Sequence, residues 1–448
     1  VDWFFRNINY GKTTDFSWKT ELEYNVTRGI PTAVTIPMLG WVAKDNTSFS
    51  FPVSDFGTQD AVDGDAGNGM AGGKKLPPPS PTQTSVASTP EFVSEWIMAI
   101  AEEDRKRGGA PSVKMFFLDN EPGLWHDTHR DVHPSTLTYE ELLEKTLAYA
   151  TAVRRASPDA LIAGPAEWGW SGYFYSPFDL EAGVQKKPDR RSHGDVPLVP
   201  WLLSRLADHE RKTGQKLLDV LDLHFYPQAK GIGIGESGDT DSATAALRIR
   251  STRALWDPTY KDESWIDEPV QLLPLMKRWI NGSYPGLRIS IGEYNWGAEK
   301  HMSGGLALAE VLGRFGENQV FSAFYWRYPQ PNTPAWYAFK AFGNYDDAGA
   351  RFPSQHIPTT KTRFASVFAA KDAAAKKLVL IALNFEPDRA VASDIRLDGC
   401  QATSDRSFVY EGASTGFSQD AAKPTKTKTG VSFEMPPYSI SVLEFKTP

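Results

Sequence analysis

The stretch SVKMFFLDNEPGLW, Ser112 to Trp125, decides how the chain is read. Its first half is a short apolar run, as expected of a strand buried on both faces of a parallel sheet. Its second half sets Asp119, Asn120 and Glu121 at the strand's end, followed by Pro122, Gly123 and Trp125. Acids and an amide placed where a core strand stops call for a use beyond packing.

The same habit recurs along the chain. PTAVTIPMLGWVA (31–43), DALIAGPAEWGW (159–170), LLDVLDLHFYP (217–227), RISIGEYNWG (288–297) and QVFSAFYWRYP (319–329) begin apolar and end in polar or aromatic clusters. Between them lie helical patterns with start signals. Thr89 and Pro90 open one helix, Thr138 and Glu141 stand at capping-box spacing before another, and Pro158 stops it. Strand–helix alternation predicts a parallel α/β sheet, and chemistry gathered at strand ends predicts a (β/α)8 TIM-type barrel. The glycine-rich KGIGIGESG (230–238) neither follows a strand directly nor opens a helix, so it reads as a mobile loop and not as a phosphate cradle. Six barrel strands are legible where eight are expected. On this reading the first two are missing from the chain, which looks N-terminally truncated, and WFFRNINY has no assigned part. GGKKLPPPSPTQTSVASTP (72–90) reads as a surface excursion. From about residue 352 short alternating runs take over, so the expected division is a catalytic barrel over 1–351 and a β-sandwich domain over 352–448.

Composition narrows the partners. The net charge is −7 over 448 residues and no basic cluster stands out, which disfavours nucleic acid and anionic membrane. No apolar run has the length of a membrane span. A single cysteine, Cys400, excludes an internal disulfide framework and a multi-cysteine metal site. The aromatics stand out: 14 Trp and 16 Tyr, many of them in polar, turn-like stretches. Each taken singly is compatible with core packing. As a set beside acids at strand ends they suit the apolar C–H faces of sugar rings.

Glu121 and Glu293 are the pair that such chemistry needs. Glycosidic cleavage takes two carboxyls, one protonated as general acid and one ionised as nucleophile or base. Asn120 is placed to hydrogen-bond a sugar hydroxyl, and His224 and Tyr226 stand at another strand end to hold the second carboxylate ionised. Asp119 reads equally as a turn-former or as pointing into the barrel. Spacing alone is as compatible with buried salt bridges from the two glutamates to Arg327 or Arg253.

LDNEPGLWHDTHRDVHP (118–134), AGPAEWGWSGY (163–173), LLDVLDLHFYPQ (217–228), LRIRSTRALWDPTYKDESWI (247–266) and ISIGEYNWGAE (289–299) together resemble glycoside hydrolase family 44, in the family's order. The resemblance runs from about residue 30 to 350. It implies a retaining endo-β-1,4-glucanase or xyloglucanase with a (β/α)8 barrel joined to a β-sandwich. It makes Glu121 the acid/base and Glu293 the nucleophile of a double displacement. The family's N-terminal segment, which supplies two barrel strands, has no counterpart here, in line with the strand count.

Other residues carry subsidiary readings. Trp326 is the leading candidate for a platform under the reacting sugar, with Trp125, Trp168, Trp170, Trp296 and Tyr173 after it. Arg253 and Trp256 belong to a cleft rim or pin a loop. His126, His129, Asp131 and His133 lack the order of a catalytic zinc motif and read as structural hydrogen bonding or substrate contact. Asp60, Asp63, Asp65 and Asn68 form a loose calcium-loop pattern, and a structural calcium is the one metal expected; catalysis requires no cofactor. The expected partner is a β-1,4-glucan polysaccharide, met by a monomeric, secreted enzyme, because polymers do not enter cells. Alternatives are another retaining β-glycanase (xylanase or mannanase), a non-catalytic polysaccharide-binding protein, and a metal-dependent hydrolase built on the histidines.

Overall fold

The structure, a computed structural model, describes residues 3–8, 17–360, 362, 364–397 and 403–447. Cys400 lies outside them. By its internal contacts the chain divides into two units, Val1–His224 with Lys277–Gly292, and Phe225–Met276 with Glu293–Pro448.

Six strands form one sheet: β1 (Thr32–Ile36), β2 (Val113–Leu118), β3 (Leu161–Glu167), β4 (Val220–Phe225), β5 (Arg288–Tyr294) and β6 (Ser322–Tyr325). They lie side by side in chain order, with no reversal. β1–β2, β2–β3 and β3–β4 pair in parallel. An unbroken sequential order is what a TIM-type barrel requires, whereas a doubly wound sheet reverses at a switch point. These are the six strands legible in the sequence, and among the described residues no other joins the sheet. Met115, Phe117, Ala163 and Val220 form a cluster on one face, while Phe116, Leu118, Ile162 and Leu221 are buried on the other. Burial on both faces explains runs that are apolar throughout rather than alternating.

In the first unit, Ser17, Thr89 and Thr138 cap the helices Trp18–Thr27, Pro90–Lys106 and Tyr139–Ala156 through their side chains. The capping box foreseen at Thr138 is only half made. Thr138 accepts from the Glu141 amide, but the Glu141 carboxylate turns to His133 Nε2 at 2.8 Å. β1 also stops sooner than foreseen. Pro37 has no amide to donate and Gly40 takes φ +107°, so Trp41–Ala43 leaves the sheet and pairs antiparallel with Ser85–Ala87. That partner lies in the Pro/Ser-rich excursion. Of WFFRNINY, residues 3–8 are described and Phe5 has a part: it is buried and meets Phe51 edge-on at 5.1 Å, and the Arg130 guanidinium lies 4.3 Å over its ring.

In the second unit the C-terminal strands form two antiparallel sheets. Gln355–Ile357, Ala365–Asp372, Lys377–Asn384, Ser439–Lys446, Thr403–Tyr410 and Ser418–Gln419 make one, in that order; Val391–Arg396, Gly430–Met435 and Thr425–Lys426 make the other. One apolar cluster draws on both, joining Leu380, Leu443 and Phe445 to Val431, Phe433 and Met435. Among the described residues no helix is long and apolar enough to cross a membrane.

Candidate active site

In the first unit the turn after β2 is held at several points. Asp119 Oδ2 accepts the amides of Met38 and Leu39, the latter at 2.8 Å. Asp119 is therefore the turn-former of the two roles open to it. Burial nonetheless pushes its carboxyl above the usual range, against the pull of those amides and that of Asn120. Asp119 and Glu121 both sit at positive φ, and so does Ala166 at the end of β3. Left-handed non-glycine residues cost roughly 1–3 kcal/mol each and persist where the surroundings over-determine them. The Glu121 amide donates to Ala166 O at 3.0 Å, which ties the two strand ends together. The Glu121 side chain is about one-fifth exposed, and its Oε1 lies 3.0 Å from Nδ1 of buried His224. Tyr173 is fully buried, and its hydroxyl donates to the His224 carbonyl.

In the second unit Tyr226 Oη donates to Glu293 Oε2 at 2.7 Å. Two residues on, Asn295 organises the surroundings. Its Oδ1 accepts the amides of Gly235 and Gly297, and its Nδ2 donates to Trp326 O at 3.0 Å. Trp326 is 43% exposed, the condition a stacking platform must meet. Arg253 is committed to Asp257 at 2.8 Å, so the salt-bridge reading of the glutamates does not hold for that arginine. His224 lies within β4 and Tyr226 directly follows the strand's last residue, Phe225.

Several expectations need correction. Trp125 and Trp296 are buried to 0% and 2% exposure, so neither offers a ring face to a sugar. Trp125 packs edge-on to His133 at 5.4 Å; Trp296 donates from Nε1 to Ser251 Oγ at 3.0 Å. Tyr173 is likewise internal. Trp168 and Trp170 are half-buried, and Trp170 packs on Phe174 at 4.7 Å. Asn120 is exposed, with its amide donating to Asp119 Oδ1.

The calcium-loop residues do not converge. Asp60 caps the amides of Gly72 and Gly73, Asp63 pairs with Arg6, Asp65 accepts from Ser54, and Asn68 Oδ1 accepts from Ala61 and Met70. Among the described residues none of these acids belongs to a group of three or more potential ligands. The histidine stretch is structural: His133 bonds Glu141, Asp131 accepts from Ser50 Oγ at 2.6 Å, and burial pushes His129 down to about 4. Trp256 lies 4.2 Å under the Arg314 guanidinium, pinning its loop. The glycine loop is not loose. Buried Arg248 donates to Ile232 O, Asp239 O and Trp296 O, and the Ala298 amide donates to Ser237 O. A Cβ at Gly238 would stand 2.0 Å from Ile232 O and one at Gly233 2.6 Å from Gly238 N, so these two glycines serve close backbone approach.

Sequence reasoning missed Glu167. It ends β3, is fully buried, and its carboxyl is pushed up to about 8 by burial first and by the Glu121 charge second. The signal was available: AGPAEW ends an apolar run in an acid just as FFLDNE and ISIGE do.

Acids at the C-terminal strand ends of a sequentially ordered parallel sheet define the TIM-type barrel class to which many glycoside hydrolases belong. The chain itself belongs to glycoside hydrolase family 44, whose sequence model matches residues 1–229. The crystal structure of CelM2, a bifunctional glucanase-xylanase from a metagenome library, superposes with a TM-score of 0.92 at 33% identity, covering 100% of this chain and 88% of that one. A Paenibacillus polymyxa xyloglucanase of the same family gives 0.80 at 26% identity, covering 96% and 83%. Endoglucanase A of Paenibacillus lautus is 29% identical over 425 residues, 92% of this chain. The chain spans 58% of the length of that curated relative and 28% of a second.

Proposed function

We propose that the chain is a retaining, endo-acting glycoside hydrolase of β-1,4-linked glucan backbones, with Glu121 as acid/base and Glu293 as nucleophile. The observation that carries the reading is the end of β4, where His224 bonds Glu121 and Tyr226 bonds Glu293. Hydrogen bonds made to a carboxylate favour its ionised form, so Tyr226 suits Glu293 to nucleophilic attack. Glu121 protonates the leaving oxygen as Glu293 attacks the anomeric carbon. Water, deprotonated by Glu121, then releases the sugar and restores both carboxyls. No metal or cofactor enters these steps. Exposed Trp326 is the platform for the sugar.

The xylanase activity named for CelM2 and the xyloglucanase name of the Paenibacillus polymyxa relative favour xylan and xyloglucan as further substrates. A polymer substrate places the enzyme outside the cell. The two antiparallel sheets that share one apolar cluster are read as the sandwich of the family.

The test is reducing-end release from cellulose derivatives, xyloglucan, xylan and mannan by the wild type, E121Q and E293Q, with the anomer of the first product read by NMR. Each exchange is expected to abolish nearly all turnover with the melting curve unchanged, and the first product keeps its configuration. Substantial turnover in E293Q, or an inverted product, would overturn the assignment.

A further inference from the structure

We propose that Glu167 acts on the reaction through Glu121, as a positioning residue whose carboxyl packs behind the turn that carries the acid/base. The proposal rests on Glu121 being that acid/base.

The geometry is particular. Glu121 is tied by its amide to Ala166 O, the residue next to Glu167. Two glycines make room for the carboxyl: a Cβ at Gly123 would stand 2.6 Å from Glu167 Oε2, and one at Gly172 2.7 Å from it. Gly123 lies two residues past Glu121 in the same turn. The groups that act on Glu167 are the Glu121 carboxylate, the His224 ring, and the amides of Trp168 and Gly123. The Tyr173 hydroxyl, itself pushed upward, feels Glu167, Asp222 and Glu121.

The consequence follows from like-charge repulsion. Glu121 must give up a proton in the first step and take one from water in the second. An ionised Glu167 beside it would raise the cost of ionising Glu121 and slow the acid step, in which Glu121 is left charged. A neutral Glu167 leaves Glu121 free to cycle.

The experiment compares wild type and E167Q by kcat/KM on a soluble β-1,4-glucan across neutral and alkaline pH. In the wild type, log kcat/KM is expected to fall on the alkaline limb with a slope approaching about two, because the active form carries a proton on each carboxyl. In E167Q the slope stays near one. Identical alkaline limbs would overturn the proposal, because a merely structural Glu167 would not change the proton count. Infrared difference titration gives a second reading without turnover: the protonated carboxyl band disappears near pH 8 in the wild type and at lower pH in E121Q, where the neighbouring charge is gone. No shift in E121Q would overturn the coupling even if E167Q failed to fold. Full activity in E121Q would instead remove the acid/base assignment, while the infrared shift still reported on the pair.

Discussion

Tyr226 donates its phenolic proton to Glu293 at 2.7 Å. A hydrogen bond to a charged group contributes about 1.5–3 kcal/mol, or roughly 10- to 150-fold in rate where it is made fully in the transition state. The Y226F variant is therefore expected to lose about that factor in kcat/KM while melting like the wild type. Turnover within two-fold of wild type would show that the phenol does not support the nucleophile.

His224 stands to Glu121 as Tyr226 stands to Glu293, but it is also a core residue. H224N is expected to lower kcat by about 10- to 100-fold, to shift the pH optimum, and to cost some stability because the ring is buried. Kinetics across pH, run beside calorimetry, check this; an unchanged pH optimum would separate His224 from the acid/base.

Glu167 makes stability depend on pH with a definite sign. Its folded-state carboxyl sits at about 8 against an ordinary 4.5, so the folded chain keeps a proton that the unfolded chain gives up between those values. Its contribution is full below about pH 4.5 and is lost as pH rises through about 8. It amounts to a few kcal/mol. Melting temperature is expected to fall more steeply with pH in the wild type than in E167Q between pH 5 and 8. Parallel curves would contradict the buried carboxyl's role.

Arg248 has no exposed surface and donates to carbonyls of the glycine loop, to Trp296 O and to Ser303 Oγ. Removing it leaves several buried carbonyls without a donor, at about 1–3 kcal/mol each. R248M is expected to lose more than about 3 kcal/mol in urea unfolding and to become sensitive to proteolysis within 230–238. A variant as resistant as wild type would mean the loop is pinned by other contacts.

The acids of 60–68 cap amides and pair with Arg6 instead of converging. A chelator is therefore expected to leave both melting temperature and activity unchanged. A rise of several degrees on adding calcium would restore the metal reading of this loop.

Much of this was legible before folding. Strands buried on both faces announce themselves as short apolar runs, and the six read from the sequence are the six of the sheet. Glu121, Glu293, His224 and Tyr226 stood out because each ends such a run. Trp125 and Trp296 misled for the same reason: a tryptophan beside an acid at a strand end looks alike whether its ring faces solvent or core. Asp60, Asp63 and Asp65 looked like ligands because spacing reports the order of oxygens but not their directions.

The sequence by itself determined the class of fold and the family, since both are local patterns of apolar period, turn chemistry and motif order. Only the tertiary structure decided which partner each carboxyl takes: His224 for Glu121, Tyr226 for Glu293, and Gly123 and Gly172 around Glu167. His224 and Glu121 stand 103 positions apart, Tyr226 and Glu293 67, and Gly123 and Glu167 44. The charge state of a carboxyl depends on its burial and on the charges within a few ångströms of it, and neither is set by chain neighbours alone.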